Sequence, residues 1–531
     1  MRKYNKSIII TLLVLISTSC SNWLTLAPEE GVTREEFWQT KEQVASAVVG
    51  CYASLMDGPV EKMFMWGELR ADMIDNGNKI DANFSNVIDG EISASNSVVN
   101  WADFYQTINN CNLVLKYAPN VLKTDGTFTQ QQLKAYEAEA LTIRAMMYFY
   151  LVRSFKDVPL MLTAAVTDDQ TYAIPKTSGT VILDSLVSDL KIAIANAPIA
   201  YSSTSQNKTH VTTWTAKTLL ADIYLWQENY EACNKLCDEV IGSGRFSLIK
   251  VRKSYYQVTD GGVVDTVSVA NEADAESFFN NSYVTGNSVE SIFEIPFTSV
   301  KNNPFYSILS PSSCKLKPKS DIVEGLVFPD ALYASAQDAT DIRSSGCSYR
   351  LGYIWKYVGD GRSGSPRFNS NYTTPWLVYK YSDILLMKAE ALNQLGLKAD
   401  GVVAQGYYTK SVASMNIVRS ARNAVETSDY NFQAPISGTS LETAILDERS
   451  REFAYEGKRW YDVLRYAKRD NYGGDNIQYL NNLAIRSAAP EKQQSLIAKY
   501  KDPKHNSHYW PIYVSEIEAN KELKQNEFYA Q

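Results

Sequence analysis

Acidic side chains one helical turn apart are the first candidates for chemistry in this chain. Glu68 and Asp72 stand i,i+4 with Arg70 between them. On a helix that spacing could bring two carboxyls to the roughly 5–5.5 Å that retaining glycoside hydrolysis requires. Many acid pairs meet the same test, and nothing local marks a proton donor of raised pKa. Glu448, Glu452 and Glu456 repeat the spacing, with Arg449, Arg451, Arg459 and Arg465 interleaved. That lattice suits ion pairs along solvated helix faces better than catalysis. There are three His, at 210, 505 and 508. His505 and His508 are i,i+3, but they follow Pro503 in polar loop sequence without a Cys or acidic cluster, so no metal is expected there. Gly359-Asp-Gly361-Arg-Ser-Gly364 spells a dinucleotide fingerprint, yet Ser365-Pro366 follows where a helix should start, so it reads as a turn. No Gly-x-Ser-x-Gly nucleophile elbow occurs. The expected catalytic set is empty: the chain reads as a binding protein, not an enzyme, and no cofactor is expected.

The elements that carry these residues are mainly helical. Ile445–Arg469 reads as two amphipathic helices joined at Gly457, one with a stripe of Ile445, Leu446, Arg449, Phe453 and Glu456, the other with Trp460, Tyr461, Leu464 and Ala467. Thr33-x-x-Glu36 and Thr40-x-x-Gln43 fit capping boxes, and the second opens a helix through Val44, Val48 and Leu55 that ends near Gly58-Pro59. Asp75–Val98 is rich in Asn, Asp, Gly and Ser and reads as a long loop. Further helices are expected over Trp101–Leu115, Gln130–Phe155 and Val181–Asn196. Trp214–Ile241 reads as a helix-turn-helix in which Ala221, Tyr224, Tyr230 and Cys233 follow tetratricopeptide spacing, with partial copies at Ala145, Ala389 and Ser450. Ser254–Arg367 differs: strand-like pieces at Ser291–Phe297 and Tyr353–Tyr357 lie among turns. Ser515-x-x-Glu518 is a last capping box. The fold class is a mainly α, tetratricopeptide-like repeat scaffold with a loop-rich, partly β insertion.

A chain of 531 residues with 45% apolar and 21% charged residues can bury a large core. With a net charge of -7 and no basic stripe, it is a poor partner for nucleic acid. Residues 1–19 have the parts of a secretory signal: Arg2, Lys3 and Lys6, the apolar run Ile8–Ile16, then Ser17-Thr18-Ser19 before Cys20. This resembles a bacterial lipoprotein cleavage box, with Ser17 where Leu is usual. Lipidation of Cys20 would anchor the chain without spanning the bilayer, and no later apolar run approaches the roughly 20 residues of a spanning helix. After it, Trp23–Pro28 reads as an extended tether. Cys51, Cys111, Cys233 and Cys237 read as small buried hydrophobes. Cys314 and Cys347 lie in loop-like sequence, and whether they pair is open.

Glu448-Arg449, Glu452-Phe453, Glu456-Gly457, Arg459-Trp460, Asp462 and Arg465 closely resemble the C-terminal signature of the SusD/RagB family of outer-membrane nutrient-binding lipoproteins. The tail Pro511-Ile512, Glu516-Ile517, Asn520, Leu523, Gln525-Asn526 and Tyr529 is similar to that family's ending. Glu137–Pro159 and Tyr381–Gly396 echo two of its helices. The resemblance runs from Cys20 to Gln531 and thins across Ser254–Arg367. It implies a signal peptide (1–19), a SusD-like helical region (20–253), a loop-rich variable region (254–375) and a C-terminal RagB/SusD helical region (376–531). It implies a surface-exposed outer-membrane lipoprotein that binds a glycan or other large nutrient and passes it to a SusC-like TonB-dependent barrel. Aromatics outside helical spacing are the leads for binding a sugar, because Tyr and Trp join an apolar face to a polar edge. These are Phe84, Tyr283, Phe305, Tyr306, Tyr353, Trp355 and Trp376; by analogy with the family, Arg70, Asn76, Asn78 and Asn83 join them. The alternative is a repeat-helix scaffold that binds only proteins in the cell envelope, and a glycosidase built on Glu68 stands third.

Overall fold

The computed structural model describes residues 37–530, apart from 167–169, 171, 261–262, 329–340, 369–370, 425–431, 433–434 and 503. The leader, Cys20, the Trp23–Pro28 tether and the Thr33–Glu36 capping box lie outside the described residues.

Helix outweighs strand, 59% to 7%, so the mainly α reading holds. Helix α1 (Lys41–Leu55) opens with a capping box: Gln43 N–H donates to Thr40 Oγ1 and Thr40 N–H to Gln43 Oε1. Helix α2 (Pro59–Glu68) follows. Residues 75–98, expected as a loop, instead carry a strand, β1 (Ile74–Asn76), and a helix, α3 (Ala82–Ile88). Asp81 caps α3 by accepting the Asn83 N–H, and burial of Phe84, Val87 and Ile88 holds it down. Next come α4 (Ala102–Thr124), α5 (Gln130–Phe155) and α6 (Gly179–Asn196). From Ala138 to Phe155, α5 is buried on every side, the mark of a helix at the centre of the core. Helices α7 (Thr213–Trp226) and α8 (Tyr230–Gly242) form the expected helix-turn-helix, with Ala221 and Cys233 fully buried where the two approach. Packing runs α1 to α4 to α5 to α6 to α7 to α8 in neighbouring pairs.

The middle of the chain holds a hairpin, β2 (Lys253–Asp260) and β3 (Val263–Ala270), and a helix, α9 (Glu272–Phe279), neither expected from its turn-rich sequence. Strands β4 (Ser291–Ile295), β5 (Leu316–Pro318), β6 (Tyr349–Arg350), β7 (Tyr353–Ile354) and β8 (Trp376–Lys380) complete it. The four strand pairs among the described residues are antiparallel: β1 with β5, β2 with β3, β4 with β8, β6 with β7. The core runs without a break from the helices into this block. Phe64 of α2 meets Phe305 at 5.3 Å, and Phe305 meets Tyr357 at 4.2 Å and Trp376 at 5.7 Å.

Strand β8 leads into α10 (Tyr381–Leu397), which packs on α8, α11 (Gly401–Ala421) and α12 (Gly438–Glu452). The expected second helix of the motif is α13 (Arg459–Lys468), followed by α14 (Gly474–Ser487) and α15 (Gln493–Lys499). Near the end of the chain Val514–Ala519 is helical, but Ser515 does not cap it; Tyr513 holds the cap position without a side-chain bond. All six described Cys are free and buried, so Cys314 and Cys347 do not pair.

The α12–α13 junction closes the molecule on itself. Gly457 turns the chain at φ +71°, and a Cβ there would stand 2.6 Å from the Met63 carbonyl oxygen. On the other side, a Cβ on Gly67 would collide with the Gly457 carbonyl. Two backbones nearly 390 residues apart are therefore in contact, a closeness that glycine permits. Glu68 Oε1 accepts the Gly457 N–H at 2.8 Å and the Lys458 N–H at 3.3 Å. It thereby caps α13 from another element, because Lys458 offers no side-chain cap.

Burial pushes the Glu68 carboxyl up to about 8 from its ordinary 4.5. The folded chain thus holds a proton that the unfolded chain releases across that window, and native stability falls as pH rises through it. Glu68→Gln keeps an acceptor for both N–H groups and removes the titration. Urea denaturation should show the variant gaining on the wild type by about 2–4 kcal/mol between pH 5 and 8.5; a difference independent of pH would show that Glu68 is charged throughout.

Candidate ligand-binding face

The candidate residues divide by burial. Arg70, Phe84, Tyr283, Phe305, Trp355 and Trp376 are interior side chains, a correction to their expected exposure. Arg70 lies 4.3 Å from the Trp460 ring centroid and 5.2 Å from that of Trp510, and donates to the His508 and Ser507 carbonyls at 2.8 and 2.7 Å. Trp355 is 0% exposed, and its indole N–H donates to the Gly361 carbonyl at 2.9 Å. Tyr283 donates to Glu456 Oε1 at 3.0 Å. Phe305 and Trp376 belong to the cluster on Phe64, and Phe84 packs in the core with Lys315 5.5 Å over its ring. Loop sequence left these rings free to go either way. Phe64 of α2 covers Phe305 and Trp376, while Phe84, Tyr283 and Trp355 are covered by Lys315, by Phe278 and Phe279, and by Arg350.

Asn76, Asn78, Asn83, Tyr306 and Tyr353 remain at the surface, Asn78 exposed and the others half-buried. Strand β1 carries Asn76 opposite Leu316 of β5, β5 in turn packs on β7 with Tyr353, and α3 with Asn83 packs on β1. Tyr306 lies on a helical turn against β5, its ring 5.0 Å from that of Tyr372. The pairing of β1 with β5 therefore brings the segments that carry these residues together, although nearly 280 residues separate Asn76 from Tyr353.

A cleft of about 560 Å³ opens between α14 and α15, within the size range of small-ligand sites. None of its lining residues was among those expected to bind a ligand. Four carboxamides line it: Gln478, Asn481, Asn482 and Gln493. Asn481 is held by His508, whose Nε2 lies 2.9 Å from its Oδ1. Burial next to Arg70 drives His508 down to about 3, so it is a neutral, fixed support. Gln478 and Asn482 are exposed, one turn apart, and their side chains make no hydrogen bond with any described residue. A carboxamide both donates and accepts, which matches a sugar hydroxyl. His505, with φ +56°, stacks on the Tyr472 ring at 4.3 Å; Asn471 and Tyr472 also have left-handed φ. Such clustered strain is typical of ligand clamps. The signal in the sequence was the amide stripe at 478, 481 and 482, opposite the apolar stripe of Ile477, Leu480 and Leu483.

The cleft adjoins the loop side of the molecule through direct bonds. Arg486, on its wall, pairs with Asp72 at 2.7 Å; Lys499 donates to the Gly90 carbonyl at 2.7 Å; Ala489 N–H donates to Asp89 at 3.2 Å. Asp72 also pairs with Arg459 at 3.2 Å, and these cations hold its carboxyl below the usual range despite burial. Glu68 and Asp72 are 0% and 1% exposed. A substrate cannot reach either carboxyl in this fold.

Residues 329–529 match the family model described as SusD family, and residues 22–225 match a model described as starch-binding associating with outer membrane. SusD-like protein P38 of Formosa agariphila is 26% identical over 88% of this chain and 93% of its own length; SusD-like protein P25 of the same organism is 25% identical over 87% and 90%. A solved SusD superfamily protein from Bacteroides vulgatus superposes with a TM-score of 0.70 at 20% identity, covering 93% of this chain and all of the other. A laminarin binding SusD-like protein superposes at 0.61 with 20% identity, covering 92% and 99%. Among the described residues no helix is long and apolar enough to cross a membrane.

Trp355→Ala should lower stability by about 3–5 kcal/mol, whereas Asn78→Ala should stay within about 0.5 kcal/mol of the wild type. Chemical denaturation measures both; a Trp355→Ala protein of native stability would contradict the interior placement.

Proposed function

The chain belongs to the SusD family, and from that premise we propose that it captures a glycan at the outer membrane and hands it to a SusC-like TonB-dependent barrel, breaking no bond. The observation that carries the reading is the pair of free carboxamides, Gln478 and Asn482, on the wall of the amide-lined cleft. Sugar hydroxyls need donors and acceptors in fixed positions, and a helix supplies them one turn apart. Asn76, Asn78, Asn83, Tyr306 and Tyr353 extend the contact for a longer chain. The description of the family model, starch-binding associating with outer membrane, and the laminarin binding relative support a glucan-like ligand. Lipidation at Cys20 is the proposed anchor, with the body facing the exterior.

One observation favours the protein-binding reading as well. A groove of about 210 Å³ beside α1 is lined almost wholly by apolar atoms, from Val49, Tyr52, Met56, Ile295 and Pro296. It suits a partner's apolar side chains better than a sugar, and in the lead reading it would serve contact with the barrel.

Calorimetry against laminarin-, starch- and xylan-derived oligosaccharides tests the capture step. At least one should bind, and the double variant Gln478→Ala/Asn482→Ala should weaken it about tenfold or more with an unchanged melting temperature. If no oligosaccharide binds while a β-barrel co-purifies from the outer membrane, the protein-scaffold reading replaces this one. For the anchor, cell fractionation of Cys20→Ala should move the protein from the membrane to the soluble fraction; continued membrane association would overturn the lipid assignment.

A further inference from the structure

A second cleft, of about 300 Å³, lies at the start of α7, on the repeat scaffold. Trp214 of α7 and Phe246, just after α8, supply two half-buried aromatic rings. The Trp214 indole N–H donates to the Ile199 carbonyl at 3.1 Å, which fixes the plane of its ring. Lys208 is 7% exposed, with its ammonium 4.7 Å from the Phe246 centroid and donating to the Ser291 carbonyl at 2.7 Å. Arg245 is exposed, 5.9 Å from the Trp214 centroid, and its guanidinium makes no hydrogen bond or ion pair with any described residue.

Asn287 completes the lining. It has φ +57°, and its backbone N–H donates to Glu294 at 2.7 Å. Its side-chain Oδ1 is buried and without a partner. A buried acceptor without a donor is costly unless something satisfies it. No lining residue is acidic. The carboxylates nearby are engaged elsewhere: Glu294 is buried and turned to Asn287 N–H, and Glu239 pairs with Lys217 at 2.8 Å. Burial lowers Lys208 to about 8, so it is still charged at neutral pH.

We propose that this cleft is a second ligand site, which takes a sugar residue bearing a carboxylate, such as a uronic acid. Trp214 and Phe246 cover the apolar faces of the ring. Arg245, whose planar fork matches a carboxylate, takes the acid group, and Asn287 Oδ1 accepts from a hydroxyl. In a chain of net charge -7, a cleft with two cations and no acid selects for anions. The site stands apart from the α14–α15 cleft, so an acidic polysaccharide could be held at two points or one site could serve a different glycan.

Galacturonate, mannuronate and guluronate trisaccharides and their carboxyl-reduced, neutral counterparts are the probes, titrated by calorimetry into the intact protein. At least one uronate should bind, with its neutral counterpart at least tenfold weaker. Arg245→Ala, at an exposed position, should weaken the uronate about tenfold or more. Asn287→Gly, which keeps the left-handed backbone, should weaken it several-fold at unchanged melting temperature. The Gln478→Ala/Asn482→Ala protein should retain this binding in full, so failure of the α14–α15 cleft reading leaves it standing. No binding of any uronate, equal binding of the neutral forms, or unchanged affinity in Arg245→Ala would each overturn the assignment.

Discussion

Buried charge must be paired, and in this protein that demand joins the middle block, β8 and the end of α11 to α12. Glu448, Glu452 and Glu456 are at most 2% exposed. Glu452 meets Arg422 at 2.9 Å, Arg343 at 3.2 Å and Lys380 at 3.3 Å; Glu456 meets Lys356 at 2.7 Å and Lys380 at 3.1 Å; Glu448 meets Arg343 at 2.6 Å and Arg419 at 3.3 Å. Arg422 continues to Glu290 at 2.6 Å. Stripping one partner from a buried pair costs about 3–5 kcal/mol, because the other charge stays unsolvated. The lattice therefore ties the end of α11, the junction of β8 with α10, and the middle block to α12. Its worth lies in register more than in net stability, since a well-packed apolar replacement can be as stable.

That constraint explains which of the candidate residues reach the surface. Arg343 and Lys356 come from the middle block, and their pairing draws its strands onto the helices. Phe305 and Trp376 are buried against Phe64, and Trp355 is buried with Arg350 5.2 Å over its ring and its N–H on the Gly361 carbonyl. What stays at the surface is the far side of the block, with Tyr306 and Tyr353, together with the helices added after α13. The exposed polar side chains of α14 need no partner inside the protein. A similar freedom holds at the mouth of the Trp214 cleft, where Arg245 forms no ion pair with any described residue.

Some of this was legible in the residues alone. Two helix starts were read to the residue, since the Gln130–Phe155 helix has the expected bounds and Thr40 caps with Gln43 as its spacing requires, whereas the expected Ser515 box caps nothing. The turn at Gly457 was legible because left-handed φ favours glycine. The ion pairing was not. Interleaved Glu and Arg suggested pairs along solvated helix faces, yet among the described residues that pattern is followed by Glu448 with Arg451, at 3.4 Å, in α12 and by Asp462 with Arg465, at 3.1 Å, in α13, while the motif's other pairs cross between elements. Arg449 crosses to Asp462 at 2.8 Å, Arg459 to Asp72, and Arg465 to Glu390 at 2.7 Å. Helical spacing shows which charges share a face; it does not show what that face will meet.

The amino-acid sequence by itself determined the helical scaffold, the Thr40 cap, the Gly457 turn and the family signature, because each rests on residues close together in the chain. Only the tertiary structure decided which aromatics are buried, which acid meets which base, and where free amides and cations remain. Those outcomes depend on partners some tens to hundreds of residues away. A loop tryptophan such as Trp355 carries no local mark of whether another element will cover it, and Gln478 none of whether another will leave it bare.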